Sequence, residues 1–224
     1  MSPKAPERKP NKVSRHTSAE TAAMPASLEP MLPTLVKLPF SDPQWLFEPK
    51  WDGFRALCFF KDGKVRFISR NRRNLTRQFP ELQEISKLIK ARTAIIDGEI
   101  VALDRSGKPS FEALRHRQHR GAIAFYAFDL VYFDGQNLSQ YPLVARKAAL
   151  KRILRKSFTG RIRYTEHIEE QGERLFRELE AMKLEGMVAK RKDSVYAFAR
   201  SRSWLKIKTS AGRTEMQKRI ESWK

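Results

Sequence analysis

The sequence predicts an α+β fold with antiparallel sheets, and three observations carry that expectation. Apolar runs of strand length recur along the chain. Segments with helical periodicity fall between them without a regular strand-helix alternation, which argues against a doubly wound parallel sheet. Two of the apolar runs are joined through Asp62-Gly63, a dipeptide suited to the positive φ angles of a tight hairpin, so at least this pair is antiparallel.

Taken in order, residues 1–27 are rich in Pro, Ser, Lys and Arg and poor in large apolar side chains, so they are expected to form a flexible basic arm. From Leu28 the composition changes. Trp45-Leu46-Phe47 opens the first strongly apolar strand, expected to run on through Glu48, Pro49 and Lys50 to Arg55. Residues 54–60 and 65–69 form the hairpin. Leu82, Ile85, Leu88 and Ile89 recur at helical spacing within 80–92, predicting a surface helix with one buried stripe. Residues 94–103 and 125–133 read as strands, the second ended by Asp134-Gly135. Helical periodicity returns over 144–154 and 173–184. Residues 186–190 and 204–208 are the last strands, and the tail at 209–224 reads as a short basic helix. There is no internal repeat and no Gly-rich phosphate loop.

The chain has 224 residues, of which 41% are hydrophobic, enough for one enzyme-sized core. Its formal charge is +20, with Lys and Arg spread over the whole length, so a polyanionic partner is expected, nucleic acid ahead of an acidic membrane face. No apolar run is long enough to span a bilayer and no hydrophobic signal core opens the chain, so the expected location is cytoplasmic, with no membrane partner. The single cysteine, Cys58, rules out an internal disulfide and any multi-cysteine zinc site, and its neighbours mark a buried strand position. His116 and His119 share a helical spacing, yet Arg115, Arg117 and Arg120 beside them would repel a cation, so they read as surface residues.

Lys50-Trp51-Asp52-Gly53-Phe54-Arg55 sets a lysine beside a carboxylate, a turn glycine and an arginine. A lysine attacks only as the neutral amine, a form that desolvation or nearby cations favour, and Arg55 can neutralise phosphate charge. Alone, the same residues describe a charged β-turn. They do not stand alone: Asp97-Gly98-Glu99 ends one strand run, Phe128-Asp129 lies in another, Glu185-Gly186 opens a third, and Lys206-Ile207-Lys208 closes the series. Strand alternation sends Leu205 and Ile207 to one face and Lys206 and Lys208 to the other, pairing two ammonium groups. An edge strand guarded by lysines would show that pattern too.

This ordered set resembles the covalent nucleotidyltransferase superfamily of ATP-dependent DNA ligases, RNA ligases and mRNA capping enzymes. Within it the chain is most similar to the ligase domain of bacterial end-joining DNA ligases, through Asp97-Gly98-Glu99-Ile100-Val101, Pro109-Ser110-Phe111-Glu112-Ala113-Leu114, Phe128-Asp129-Leu130 and Glu185-Gly186-Met187-Val188-Ala189-Lys190-Arg191. The resemblance implies an ATP-grasp-like nucleotidyltransferase domain over 28–208, two antiparallel sheets flanked by helices with a nucleotide between them. It further implies that Lys50 attacks the α-phosphate of ATP to give lysine-AMP, that AMP passes to a 5′-phosphate of nicked or broken double-stranded DNA, and that the 3′-hydroxyl then displaces it. By motif position Glu48 would meet the adenine edge, Arg55 and Arg70 the ribose or phosphates, and Glu99 the ribose hydroxyl or a metal. Phe128 would stack on adenine, Lys206, Lys208 and, less directly, Lys190 would face phosphates, and Glu185 with Glu99 would hold Mg²⁺ or Mn²⁺.

Two departures from that family stand out. An oligonucleotide-binding barrel normally follows the last motif, and the 16 residues from Thr209 onward cannot build one, so the expectation is either a fragment of a longer protein or a stand-alone domain partnered by a separate barrel or end-joining protein. The run from Tyr196 to Trp204 is one residue short, with Ala199 where Gly is common. Arg70-Asn71-Arg72-Arg73 and the arginines at 115–120 suit a duplex backbone or a solvated basic face about equally. An RNA ligase, a capping guanylyltransferase, or a non-catalytic DNA-binding relic remain as alternatives.

Overall fold

The computed structural model describes residues 23–104, 107–115, 122–155 and 160–221. Most of the expected basic arm, and both His116 and His119, lie outside the described residues. In chain order the elements are β1 (Leu32–Leu35), β2 (Asp42–Pro49), β3 (Phe54–Lys61), β4 (Lys64–Ser69), a 3-10 helix (Pro80–Leu88), β5 (Thr93–Ala102), α1 (Phe111–Arg115), β6 (Ile123–Phe133), β7 (Gln136–Asn137), α2 (Leu143–Ile153), β8 (Ile162–Tyr164), β9 (Ile168–Glu170), α3 (Gly172–Ala181), β10 (Gly186–Arg191), β11 (Arg200–Lys208) and α4 (Ser210–Glu221).

They form an α+β fold of two sheets flanked by helices. One sheet runs β1-β11-β10-β2-β9 and the other β4-β3-β5-β6-β7, with β8 added beside β6. Pairing is antiparallel except at two places, where β1 lies parallel to β11 and β8 parallel to β6. The β3-β4 hairpin turns through Asp62 and Gly63, both at positive φ, as the dipeptide predicts.

Alternation sorts the side chains into layers. Phe47, Met187, Ala189 and Ile207 face outward from the first sheet onto Leu175 and Leu179 of α3. Ala56, Cys58, Phe60, Ile96 and Phe125 face outward from the second sheet, against Leu82 and Ile85 of the 3-10 helix and Leu150 of α2. Between the sheets lies a smaller core that includes Leu46, Leu57, Phe59, Phe128, Tyr196 and Trp204. Cys58 is fully buried in its strand, and burial raises its thiol pKa, so it packs as a small apolar group.

Two elements depart from expectation. The helix over 80–92 is a 3-10 helix over Pro80–Leu88, because Leu82, Ile85 and Leu88 repeat every third residue and match its turn better than an α-helix. The strand expected through 45–55 is broken at Lys50-Trp51-Asp52-Gly53, where the chain leaves β2 in one sheet and enters β3 in the other. The motif with the candidate nucleophile is therefore the crossover between the two sheets.

Candidate active site

The crossover is held at both ends. The Lys50 N–H donates to the Gly186 carbonyl at 2.8 Å, tying it to the start of β10. Gly53 lies so close to β5 that a Cβ there would collide with the Ile100 carbonyl oxygen. Trp51 packs on Tyr126 with ring centroids 4.0 Å apart and donates its indole N–H to Thr165 Oγ1 at 3.1 Å. Lys50 is thus presented on a short, pinned loop between the sheets.

A cleft of 790 Å³ opens there, its lining including Glu48, Lys50, Arg55, Arg70, Arg73, Glu99, Phe128, Lys190, Trp204 and Lys206. A second cavity of 270 Å³, bordered by Asp52, Ser110, Glu112, Glu185 and Glu215, meets it at Lys50. Lys50 therefore borders both spaces.

The charged groups fall into three sets. Around the candidate nucleophile, Lys50 Nζ lies 2.5 Å from Glu185 Oε2, and Lys208 Nζ lies 3.1 Å from Glu185 Oε1. Burial works against the charge of Glu185, but the Lys50 and Lys208 ammoniums outweigh it and hold its pKa below the usual carboxylate value. Lys206 projects beside them with no ion-pair partner among the described residues, and burial together with Lys50, Lys208, Arg200 and Arg70 lowers its pKa. A half-buried ammonium surrounded by cations is a site for an anion. Arg70 is exposed at the mouth of the cleft.

At the floor, Glu48 is buried and its carboxylate is gripped from two sides, by Lys147 Nζ on Oε1 and by Lys190 Nζ at 2.6 Å on Oε2. Burial opposes the charge of Glu48, and the two lysines overcome it and keep its pKa low. Lys190 pays for its own burial: its pKa is pushed down to about 8, with its ammonium 4.2 Å from the ring centroids of both Phe128 and Trp204. The Trp204 indole N–H is buried without a hydrogen-bond partner among the described residues.

The third set fixes Arg55. Its guanidinium binds Asp97 bidentately, both contacts at 2.6 Å, donates to the Met31 carbonyl at 3.2 Å, and lies 4.4 Å from the Phe128 ring centroid. The Tyr196 hydroxyl also donates to Asp97 Oδ2, at 2.6 Å, and accepts from the Met31 N–H. Arg55, expected at the ribose or phosphates, is thus anchored to Asp97 on the inner face of β5. Glu99, two residues further along that face, has its pKa pushed up to about 8 by burial, with Lys50 and Arg55 lowering it and Glu185 and Asp52 adding to the rise.

The fold brings Glu48, Lys50, Arg55, Glu99, Phe128, Glu185, Lys190 and Lys206 to the walls of these two cavities, with Arg70 at the rim, while Lys208 lines neither and reaches the site through its ion pair with Glu185. Sequence reasoning missed Asp97 as the anchor of Arg55, and it missed Lys147 altogether. A signal for Lys147 existed: it lies on the stripe Leu143, Lys147, Leu150, where a charge has to be paired if the stripe is buried. Among the described residues no group of three or more His, Cys, Asp or Glu could enclose a metal. Glu99 and Glu185 offer hard oxygen ligands whose mutual repulsion a divalent cation would relieve, which fits Mg²⁺ completing its shell with water and phosphate oxygens.

Residues 30–208 match the family model described as ATP dependent DNA ligase domain. The multifunctional non-homologous end joining protein LigD of Pseudomonas aeruginosa is 32% identical over 197 residues, covering 87% of this chain and 23% of that protein. The SPbeta prophage-derived DNA ligase-like protein LigB of Bacillus subtilis is 31% identical over 185 residues, covering 80% and 67%. Among solved structures, the ligase domain from M. tuberculosis LigD superposes with a TM-score of 0.71 at 34% identity, over 81% of this chain and 59% of that one. A mycobacterial DNA ligase D complexed with ATP and MES gives 0.70 at 33%, over 81% and 60%. The chain spans about a quarter of the length of the LigD relative from P. aeruginosa.

Proposed function

The chain belongs to the ATP-dependent DNA ligase domain family, and from that premise we propose that it takes AMP from ATP onto Lys50 and passes it to the 5′-phosphate of nicked or broken duplex DNA. The observation that carries the proposal is Lys50 itself, pinned at the junction of two cavities, within 2.5 Å of a carboxylate and close to a ring of cations.

In the first step the Lys50 amine attacks the α-phosphorus, a P–N bond forms, and the bond to the bridging oxygen breaks to release pyrophosphate. The proton leaving the amine has an acceptor in Glu185. Lys206, Lys208 and Arg70 face the negative charge that builds on the phosphoryl oxygens and on the leaving group, and they stand in place before reaction, which is where electrostatic stabilisation is most effective. A divalent cation held by Glu99 and Glu185 would neutralise phosphoryl charge when bound. Phe128, Trp204, Glu48 and Lys190 form an aromatic floor with hydrogen-bonding groups suited to a nucleobase. In the second step a DNA 5′-phosphate oxygen displaces Lys50 from AMP; in the third the 3′-hydroxyl displaces AMP and closes the strand. The charge of +20 favours contact with the duplex backbone, and affinity for DNA is expected to fall with salt. End joining and a cytoplasmic, nucleoid-associated location belong to the same proposal.

The test is incubation of the chain with labelled ATP or GTP and Mg²⁺, beside Lys50→Ala. Covalent label from ATP that is lost in Lys50→Ala is the expected result. Label from GTP alone would point instead to a capping-type guanylyltransferase, and label from neither nucleotide would remove the proposal.

A further inference from the structure

Lys147 is a buried charge beside Glu48 that no motif accounts for. It lies on α2, 2% exposed, and bridges the two sheets. On the first sheet it holds Glu48 of β2. On the second its ammonium lies 3.5 Å from the Phe128 carbonyl of β6, and it also donates to the Thr165 carbonyl at 3.2 Å and lies 4.6 Å from the Tyr164 ring centroid. The preceding residue strengthens the hold: Arg146 binds Asp129, next to Phe128, with two contacts of 2.8 Å, and donates to the carbonyls of Tyr141 and Ser194. Two consecutive cations of one helix thus fix the backbone of Phe128, and the second also fixes the carboxylate that faces that ring from the other sheet.

We propose that Lys147 is a positioning residue for nucleobase selection, setting the gap and registry between Glu48 on one sheet and Phe128 on the other. The inference rests on reading the cleft as a nucleotide site and goes further by saying which group tunes its choice of base. Two facts on the molecule favour this over a role in fold stability alone. Glu48 already has a counter-ion in Lys190, so neutralising its charge does not require a second lysine. That second lysine leaves the set of Glu48, Lys147 and Lys190 with a net positive charge, and the Trp204 indole N–H beside them is buried without an acceptor among the described residues, which favours a ligand that supplies an acceptor beside an N–H for the remaining lone pairs of Glu48. Adenine presents such a pair on either side of its exocyclic amine: the amine N–H with a ring nitrogen acceptor. Guanine also carries an acceptor beside an N–H, its C6 carbonyl next to the ring N1–H, but in the reverse order, with the acceptor exocyclic and the donor in the ring, so the registry between Glu48 and the aromatic floor decides which base is met.

The experiment is equilibrium titration of the chain with ATP and with GTP in the absence of metal, for wild type, Lys147→Met, Glu48→Gln and the double variant, with Lys206→Met as the comparison at the phosphate end. Wild type is expected to prefer ATP by about tenfold or more, and Lys147→Met to lose most of that preference. Lys206→Met should weaken both nucleotides alike and keep the ratio. If Lys147 acts through Glu48, the double variant is no less selective than the worse single one. A Lys147→Met variant that weakens both nucleotides equally, or effects of Lys147→Met and Glu48→Gln that simply add, would overturn the inference, as would a wild type without preference. Should Lys147→Met fail to fold, Glu48→Gln, nearly isosteric, decides the matter: an unchanged ratio there refutes it. Because these titrations read binding alone, they stand apart from the covalent-label test of the proposed function.

Discussion

Asp97→Asn tests most directly how the site is built. Asp97 is fully buried and receives two 2.6 Å contacts from Arg55 and a third from the Tyr196 hydroxyl. Burial disfavours the Arg55 charge, and the Asp97 carboxylate outweighs that cost and raises the Arg55 pKa. Asparagine keeps the volume and one acceptor oxygen but leaves the cation without a counter-ion. Breaking a buried pair costs about 3–5 kcal/mol; the retained acceptor and the 17% exposure of the Arg55 side chain bring the expected loss to about 2–3 kcal/mol. For a chain of this length that is a fall in Tm of about 4–12 °C. Thermal and urea unfolding followed by circular dichroism would measure it, with Tyr196→Phe, which removes only a hydroxyl, expected to cost about 1 kcal/mol. A Tm for Asp97→Asn within about 2 °C of wild type, or a smaller loss than in Tyr196→Phe, would refute the argument that Asp97 is the anchor of the inner face.

The other expectations follow the same geometry. Gly186 has φ of +151° and a Cβ there would collide with the Ile207 carbonyl, so Gly186→Ala should cost about 2–4 kcal/mol and reduce covalent labelling by displacing Glu185, read in one melt and one labelling assay. Lys206→Met should leave the Tm unchanged or slightly raised, since a cation among cations is removed, while ATP affinity falls about tenfold and becomes less sensitive to salt in titrations at two ionic strengths. Lys190, with a folded pKa of about 8, releases its proton before the unfolded chain does near its ordinary value of 10.5. The unfolded state then binds more protons over that window, so wild type should gain about 1–2 kcal/mol relative to Lys190→Met as pH rises from about 8 to 10, measured by urea midpoints.

Composition and periodicity were enough to determine the α+β class, most strands of both sheets, the hairpin at Asp62-Gly63 and the helices over Leu143–Ile153 and Gly172–Ala181. These follow from the repeat of apolar residues along one segment, which is a local property of the chain. The ordered motifs also singled out Lys50, Glu99 and Glu185 through the family resemblance they carry, and strand alternation put Lys206 and Lys208 on one face. The short strands Leu32–Leu35, Gln136–Asn137, Ile162–Tyr164 and Ile168–Glu170 were not legible: with few residues each they carry too little pattern, and they form because a neighbouring sheet edge offers hydrogen bonds. The break after Pro49 was hidden for a related reason, since an apolar run does not reveal that its two halves join different sheets. Only the tertiary structure decided the partners of the buried charges, Arg55 with Asp97, Arg146 with Asp129, and Glu48 with Lys147 and Lys190. Each pair joins residues at least 17 positions apart in the chain. Burial demands that such charges be matched, and which group matches which depends on the two sheets closing over one another.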